Sequence, residues 1–125
     1  MSLEIDPSKV QYQGYIEKLG GNVHNWKRRH FAIIENTLCY FKDTNFKERR
    51  GTIPLIDCTI TLEPVSDGPG YYFCLRFAST SGAKRNEYLL RCPTSEEREK
   101  WISEIEKANI ITVFERPLSA ALRVN

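Results

Sequence analysis

From Tyr12 to Cys92 apolar and polar positions alternate at a period of two, broken at short intervals by turn residues. Tyr12 to Leu19 and Arg29 to Glu35 read as extended segments around Gly20 and Gly21, whose backbone freedom suits a loop between strands. Glu35-Asn36-Thr37 reads as a tight hairpin turn leading into Leu38 to Lys42. Thr52 to Leu55 follows, with Pro54 marking an edge or a strand end, and then Thr59 to Leu62. Ser66 to Gly70 and Ser79 to Ala83 are loops by composition. Between them Tyr72 to Phe77 places Phe73, Leu75 and Phe77 on one face, and Glu87 to Cys92 makes a seventh strand.

The period then changes. Trp101, Ile105 and Ala108, with Ile102 beside them, form the apolar stripe of an amphipathic helix. Thr94 and Glu97 form a capping box at its start, and Pro93 ends the strand before it. The pattern predicts a mainly β fold with one C-terminal helix plugging an end of a curled sheet. A length of 125 residues fits one such domain. Its expected limits are 12–109, with an N-terminal extension over 1–11 and a tail or linker start over 110–125.

Composition adds little beyond an ordinary globular character: 41% hydrophobic and 27% charged residues, net charge +2. The distribution of charge says more. Lys18 to Arg50 holds eight Lys or Arg against three acids, whereas Thr94 to Asn109 holds five Glu against three Lys or Arg. A molecule polarised in this way is steered toward anionic surfaces. No apolar run is long enough to span a membrane, and Met1 to Asp6 has neither the basic start nor the apolar stretch of a signal peptide. Cys39, Cys58, Cys74 and Cys92 are widely spaced and read as reduced, structural thiols of a cytoplasmic protein, with no metal site.

Candidate chemistry concentrates in Lys18 to Arg29, where Lys18 closes one strand and Lys27, Arg28 and Arg29 open the next. Lys27 and Arg29 are two apart and project to one face, so the hairpin converges them with Lys18. Like charges gathered in this way are costly unless an anion neutralises them, and a phosphorylated ligand suits that demand.

Seven strands, a C-terminal helix with a tryptophan in its second turn, and a basic first loop together resemble a pleckstrin homology (PH) domain, from about Gln13 to Asn109. The run from Gly14 to Phe31 (GYIEKLGGNVHNWKRRHF) resembles the 3-phosphoinositide-binding type, above all the cytohesins and the dual adaptor for phosphotyrosine and 3-phosphoinositides. Pro93 to Trp101 is similar to the helix start of cytohesins and protein kinase B. The resemblance implies a seven-stranded, two-sheet, partly open β-barrel capped by a C-terminal α-helix. It implies a head-group site in which Lys18 and Arg29 grip the ring phosphates and Lys27 faces the phosphate joining ring to lipid. Tyr40 matches a tyrosine that gives its hydroxyl to a ring phosphate, and Arg50 an arginine that completes the basic wall.

The chain departs from cytohesins at Asn22, where they carry an arginine, and in a short connection from Ala78 to Asn86 in place of an extra hairpin. Lys84 and Arg85 fall near the family's Asn-His pair and supply charge there instead. The implied partners are phosphoinositides, the 3,4,5-trisphosphate or 3,4-bisphosphate ahead of the 4,5-bisphosphate, on the inner face of the plasma membrane or an endosome. Val23 at the loop tip either dips into the bilayer or packs on Trp26, and Arg28 reads as surface charge attracted to anionic lipid. His24 and His30 have no evident partner and read as solvated or packed rather than as pH switches.

Two other classes fare worse. An enzyme needs an activated nucleophile, a positioned acid-base pair or a bound metal or cofactor, and no such set stands out. A nucleic-acid track is not expected, because the cations form a compact cluster. A protein-interaction module on the same barrel, with weak and unselective lipid binding, is the alternative reading.

Overall fold

The computed structural model describes residues 5–20, 25–62, 70–78 and 85–111. After a 3₁₀ turn at Pro7–Lys9 come seven strands: β1 (Tyr12–Leu19), β2 (Trp26–Ile34), β3 (Thr37–Phe41), β4 (Arg49–Pro54), β5 (Cys58–Thr61), β6 (Tyr71–Phe77) and β7 (Glu87–Cys92). The helix α1 covers Ser95–Ala108. All neighbours are antiparallel, in the order β4-β3-β2-β1-β7-β6-β5. The two expected sheets are thus joined into one ladder, but only just: β1 meets β7 at Glu17↔Arg91 and Lys18↔Leu90 alone, against eight paired positions between β1 and β2. β4 and β5 end the ladder, which stays open.

The register assigns the faces. Ile16 lies opposite Arg29, Gly14 opposite Phe31, Phe31 opposite Tyr40, and Leu38 opposite Ile53. The concave face therefore carries Ile16, Phe31, Ile33, Leu38 and Ile53, joined from β6, β7 and α1 by Phe73, Leu75, Leu90, Trp101 and Ile105 in one core. Thr94 caps α1 by accepting from Glu97 N at 3.1 Å, and Trp101, Ile105 and Ala108 are its buried stripe. The far end of α1 is tied to the sheet by two asparagines. Asn36, at φ 62° beside Glu35 at φ 48° in the β2–β3 turn, donates Nδ2 to Ala108 O at 2.6 Å. Asn109 pairs with the Cys58 backbone through both side-chain atoms, at 2.9 and 3.2 Å.

The convex face is more covered than alternation alone predicts. Ala32, Cys39 and Phe41 form a second apolar cluster under Ile5, Val10, Ile34 and Phe46. Residues Ile5 and Val10 of the expected extension therefore pack onto the domain. Tyr72 and Cys74 are buried on the reverse side of β6, although only Phe73, Leu75 and Phe77 form the expected apolar face. Tyr72 is shielded by Trp26, ring centroids 5.5 Å apart. Ile110 continues the docking of the chain by bridging to Ile56. The four cysteines are free and buried, and burial pushes the Cys58 and Cys92 thiols up to about 12, which leaves them inert at neutral pH.

Candidate functional site

At the open rim of the concave face the apolar positions give way to charge. Lys18 stands directly opposite Lys27 in the β1–β2 ladder, and Arg29 opposite Ile16 one step deeper. The side chains of Lys18, Lys27 and Arg29 thus share the face whose interior end is the core. Lys18 Nζ lies 5.0 Å from the centroid of the Tyr40 ring, which stacks on Phe31 with centroids 5.1 Å apart. Tyr40 fits because its ladder partner is Gly51: a Cβ there would come within 2.5 Å of Tyr40 Cζ.

A fourth cation arrives from the other half of the ladder. Arg85, just ahead of β7, reaches Leu19 O with Nη2 at 3.5 Å and lies 4.5 Å over the ring of Tyr88. Burial depresses the Lys18 pKa, and the charges of Arg85, Arg29 and Lys27 depress it further. Burial raises the Tyr40 phenol, while Arg85 and Arg29 pull it back. The same two arginines therefore act on both Lys18 and Tyr40. Among the described residues none of Lys18, Lys27, Arg29 and Arg85 has an ion-pair partner. An anion entering this rim meets a half-buried Lys18 crowded by Arg85, Arg29 and Lys27, and its negative charge relieves that repulsion.

The other expected positions fall elsewhere. Arg50 is exposed beside Gly51, where the β3–β4 register shifts between Tyr40 and Phe41. Arg28, by strand alternation, projects from the convex face, with its guanidinium 3.7 Å over the Tyr15 ring. Asn22, Val23 and Lys84 lie outside the described residues. His30 is packed: it is 4% exposed, bonded through Nε2 to Gln13 Oε1 at 2.8 Å and set between Tyr15 and Phe46.

Sequence reasoning did not foresee the brace behind the site. Arg91 of β7 donates Nε to Glu17 Oε1 and Nη1 to the Tyr72 hydroxyl at 3.2 Å, and lies 4.1 Å over the Trp26 ring. It locks β1 to β7 at the narrow junction and so fixes Lys18 relative to Arg85.

A family model described as the PH domain matches residues 10–109. The chain belongs to the PH domain family. Human cytohesin-4 is 35% identical over 119 residues, which covers 81% of this chain but only 29% of that protein. Mouse "Differentially expressed in FDCP 6" is 34% identical over 79% of this chain and 15% of that protein. The chain therefore spans less than a third of the length of these relatives. The C-terminal PH domain of pleckstrin, solved with an inositol pentakisphosphate bound, superposes with TM-score 0.67 at 28% identity, covering 79% of this chain and 94% of that one. No helix among the described residues of this PH domain is long and apolar enough to cross a membrane.

Proposed function

We propose that this PH domain binds the phosphorylated head group of an inositol lipid at the Lys18–Tyr40–Arg85 rim and thereby recruits its parent protein to a membrane. The observation that carries this reading is the set of four cations on one concave rim with no acidic partner among the described residues, and with the Lys18 pKa depressed by burial and by its neighbours. Lys18 and Arg29 hold ring phosphates, Arg29 as a planar fork and Lys18 as a point charge, and Lys27 faces the phosphate leading to the lipid. The Tyr40 hydroxyl donates to a ring phosphate, and Arg85 closes the far side. The pleckstrin relative, bound to an inositol phosphate, supports the ligand class. The resemblance of Gly14 to Phe31 to the 3-phosphoinositide-binding type favours the 3,4,5-trisphosphate or 3,4-bisphosphate, at the inner face of the plasma membrane or an endosome. Arg28 is exposed on the convex side of the β1–β2 hairpin. There Arg28 adds a general attraction of about 1 kcal/mol to anionic lipid.

Vesicle sedimentation tests the recruitment. Phosphatidylcholine vesicles carrying a few per cent of the 3,4,5-trisphosphate should sediment most of the protein, and vesicles of matched charge made with phosphatidylserine should not. Equal sedimentation on both would reduce the reading to bilayer electrostatics.

A further inference from the structure

The narrow β1–β7 junction leaves a second feature unused by the head-group site. Beyond Glu17↔Arg91 the two strands part, and β1 residues Tyr12 to Ile16 have no ladder partner on their β7 side. A cavity of about 580 Å³ opens in the gap, walled by β1, by Arg91, Cys92 and Pro93 at the end of β7, and by Glu97 and Trp101 of α1. That volume is in the range of ordinary ligand clefts.

The backbone in this gap is an open edge. Gly20 N donates to Asn25 O at 2.9 Å, which sets the alternation of the β1–β2 ladder. Even-numbered β1 residues therefore turn their N–H and C=O toward β2. Gln13, Tyr15 and Glu17 turn theirs the other way. Glu17 meets Arg91 across the junction, whereas Gln13 and Tyr15 point their backbone groups at the gap, with no partner among the described residues. Two such residues, two apart along a strand, present donors and acceptors at the repeat of one further extended chain.

The charge around the edge selects among extended chains. Arg28 lines the gap on the Tyr15 side, exposed and stacked at 3.7 Å on the Tyr15 ring, and has no ion-pair partner among the described residues. Arg91, also on the wall, is already neutralised by Glu17. Glu97 stands on the opposite rim, in the first turn of α1, and disfavours acids there. We infer that the β1 edge is a docking site for an extended peptide segment of a partner protein, added as a strand beside Gln13 and Tyr15. It carries one carboxylate set against Arg28 and uncharged side chains elsewhere. Alternate side chains of the added strand face Tyr15 and Arg28 on one side and Ile16 and Trp101 on the other.

The test uses blocked synthetic heptapeptides in which valine alternates with threonine and a central position is glutamate, glutamine or lysine. Amide hydrogen exchange and chemical shifts of the isotope-labelled protein are followed up to millimolar peptide. The glutamate peptide should slow exchange at Gln13 and Tyr15 and shift Arg28 and Trp101, with the lysine peptide at least tenfold weaker. Arg28→Glu should reverse that order in a protein whose other resonances are unchanged. Methylating the peptide's backbone nitrogens should abolish protection even with the carboxylate kept. The inference is overturned if no peptide protects Gln13 and Tyr15, if protection survives N-methylation, or if the shifts fall on Lys18 and Tyr40. It is also overturned if soluble inositol 1,3,4,5-tetrakisphosphate produces the same shifts at this edge.

Discussion

Arg29 lies nearer the core than the other two cations on the concave face of the β1–β2 ladder. It sits opposite buried Ile16, one step inward from the Lys18–Lys27 pair, where the core begins. Hydrogen bonds to charged groups contribute about 1.5–3 kcal/mol each, so losing one costs roughly ten- to 150-fold in affinity. Arg29→Ala is expected to reduce soluble head-group binding by that amount without loss of the thermal transition, as calorimetry and circular dichroism would record. Undiminished binding by the folded variant would place the pocket elsewhere. His30, its neighbour, behaves oppositely: burial holds its pKa below the ordinary 6.5, and its Nδ1 is buried without a partner. Asp43 pulls the value back only in part. Because the unfolded chain takes up this proton first, stability is complete above about pH 6.5 and falls as the pH drops toward the depressed folded value. The melting temperature should decline between pH 7 and 5, and a His30→Gln variant should decline less over the same interval. An identical slope in both proteins would assign the acid sensitivity to other groups.

At the scale of elements, the two ends of α1 are held differently. The Thr94 cap is local, three residues from its partner, and was legible in the sequence together with the Trp101–Ile105–Ala108 stripe. The bond from Asn36 to Ala108 spans 72 residues and leaves no local trace. Asn36 also occupies φ 62°, a conformation asparagine tolerates better than alanine. Asn36→Ala should therefore cost about 1–3 kcal/mol in urea unfolding, through the orphaned Ala108 carbonyl and the turn together. A change under about 0.5 kcal/mol, within the usual range for surface substitutions, would mean that the helix end is held by Asn109 alone. The strands follow the same logic. β1 and β7 run over the residues that alternation predicts, because each is paired along a continuous pattern. β2 begins earlier, at Trp26, because the cations Lys27 to Arg29 continue its ladder with β1 although they break its apolar pattern. Burial of Tyr72 could not be read from period two, since Trp26 and the Arg91 brace arrive from distant segments. Arg85 is the corresponding case within the site: its sequence neighbourhood places it near the last strand, but only the β1–β7 junction brings it to Lys18.

Viewed whole, the molecule is a half-closed sheet whose two halves meet at a two-pair junction, with cations gathered on the concave rim and the acidic helix at the opposite part of the chain. The junction is what gathers the rim's cations. It brings β1–β3 and the approach to β7 to bear on one point, and the Glu17–Arg91 pair holds them in place. A cluster of this kind binds a compact polyanion more readily than a flat anionic surface, because the donors converge inward instead of spreading along a track. The account therefore rests on whether a small, soluble polyanion is recognised in the absence of any bilayer. Calorimetric titration with inositol 1,3,4,5-tetrakisphosphate, beside the 1,3,4- and 1,4,5-trisphosphates, measures this directly. Submicromolar binding of the tetrakisphosphate, with the 1,4,5 isomer at least tenfold weaker, is the predicted result. Weak and equal binding of all three would contradict it.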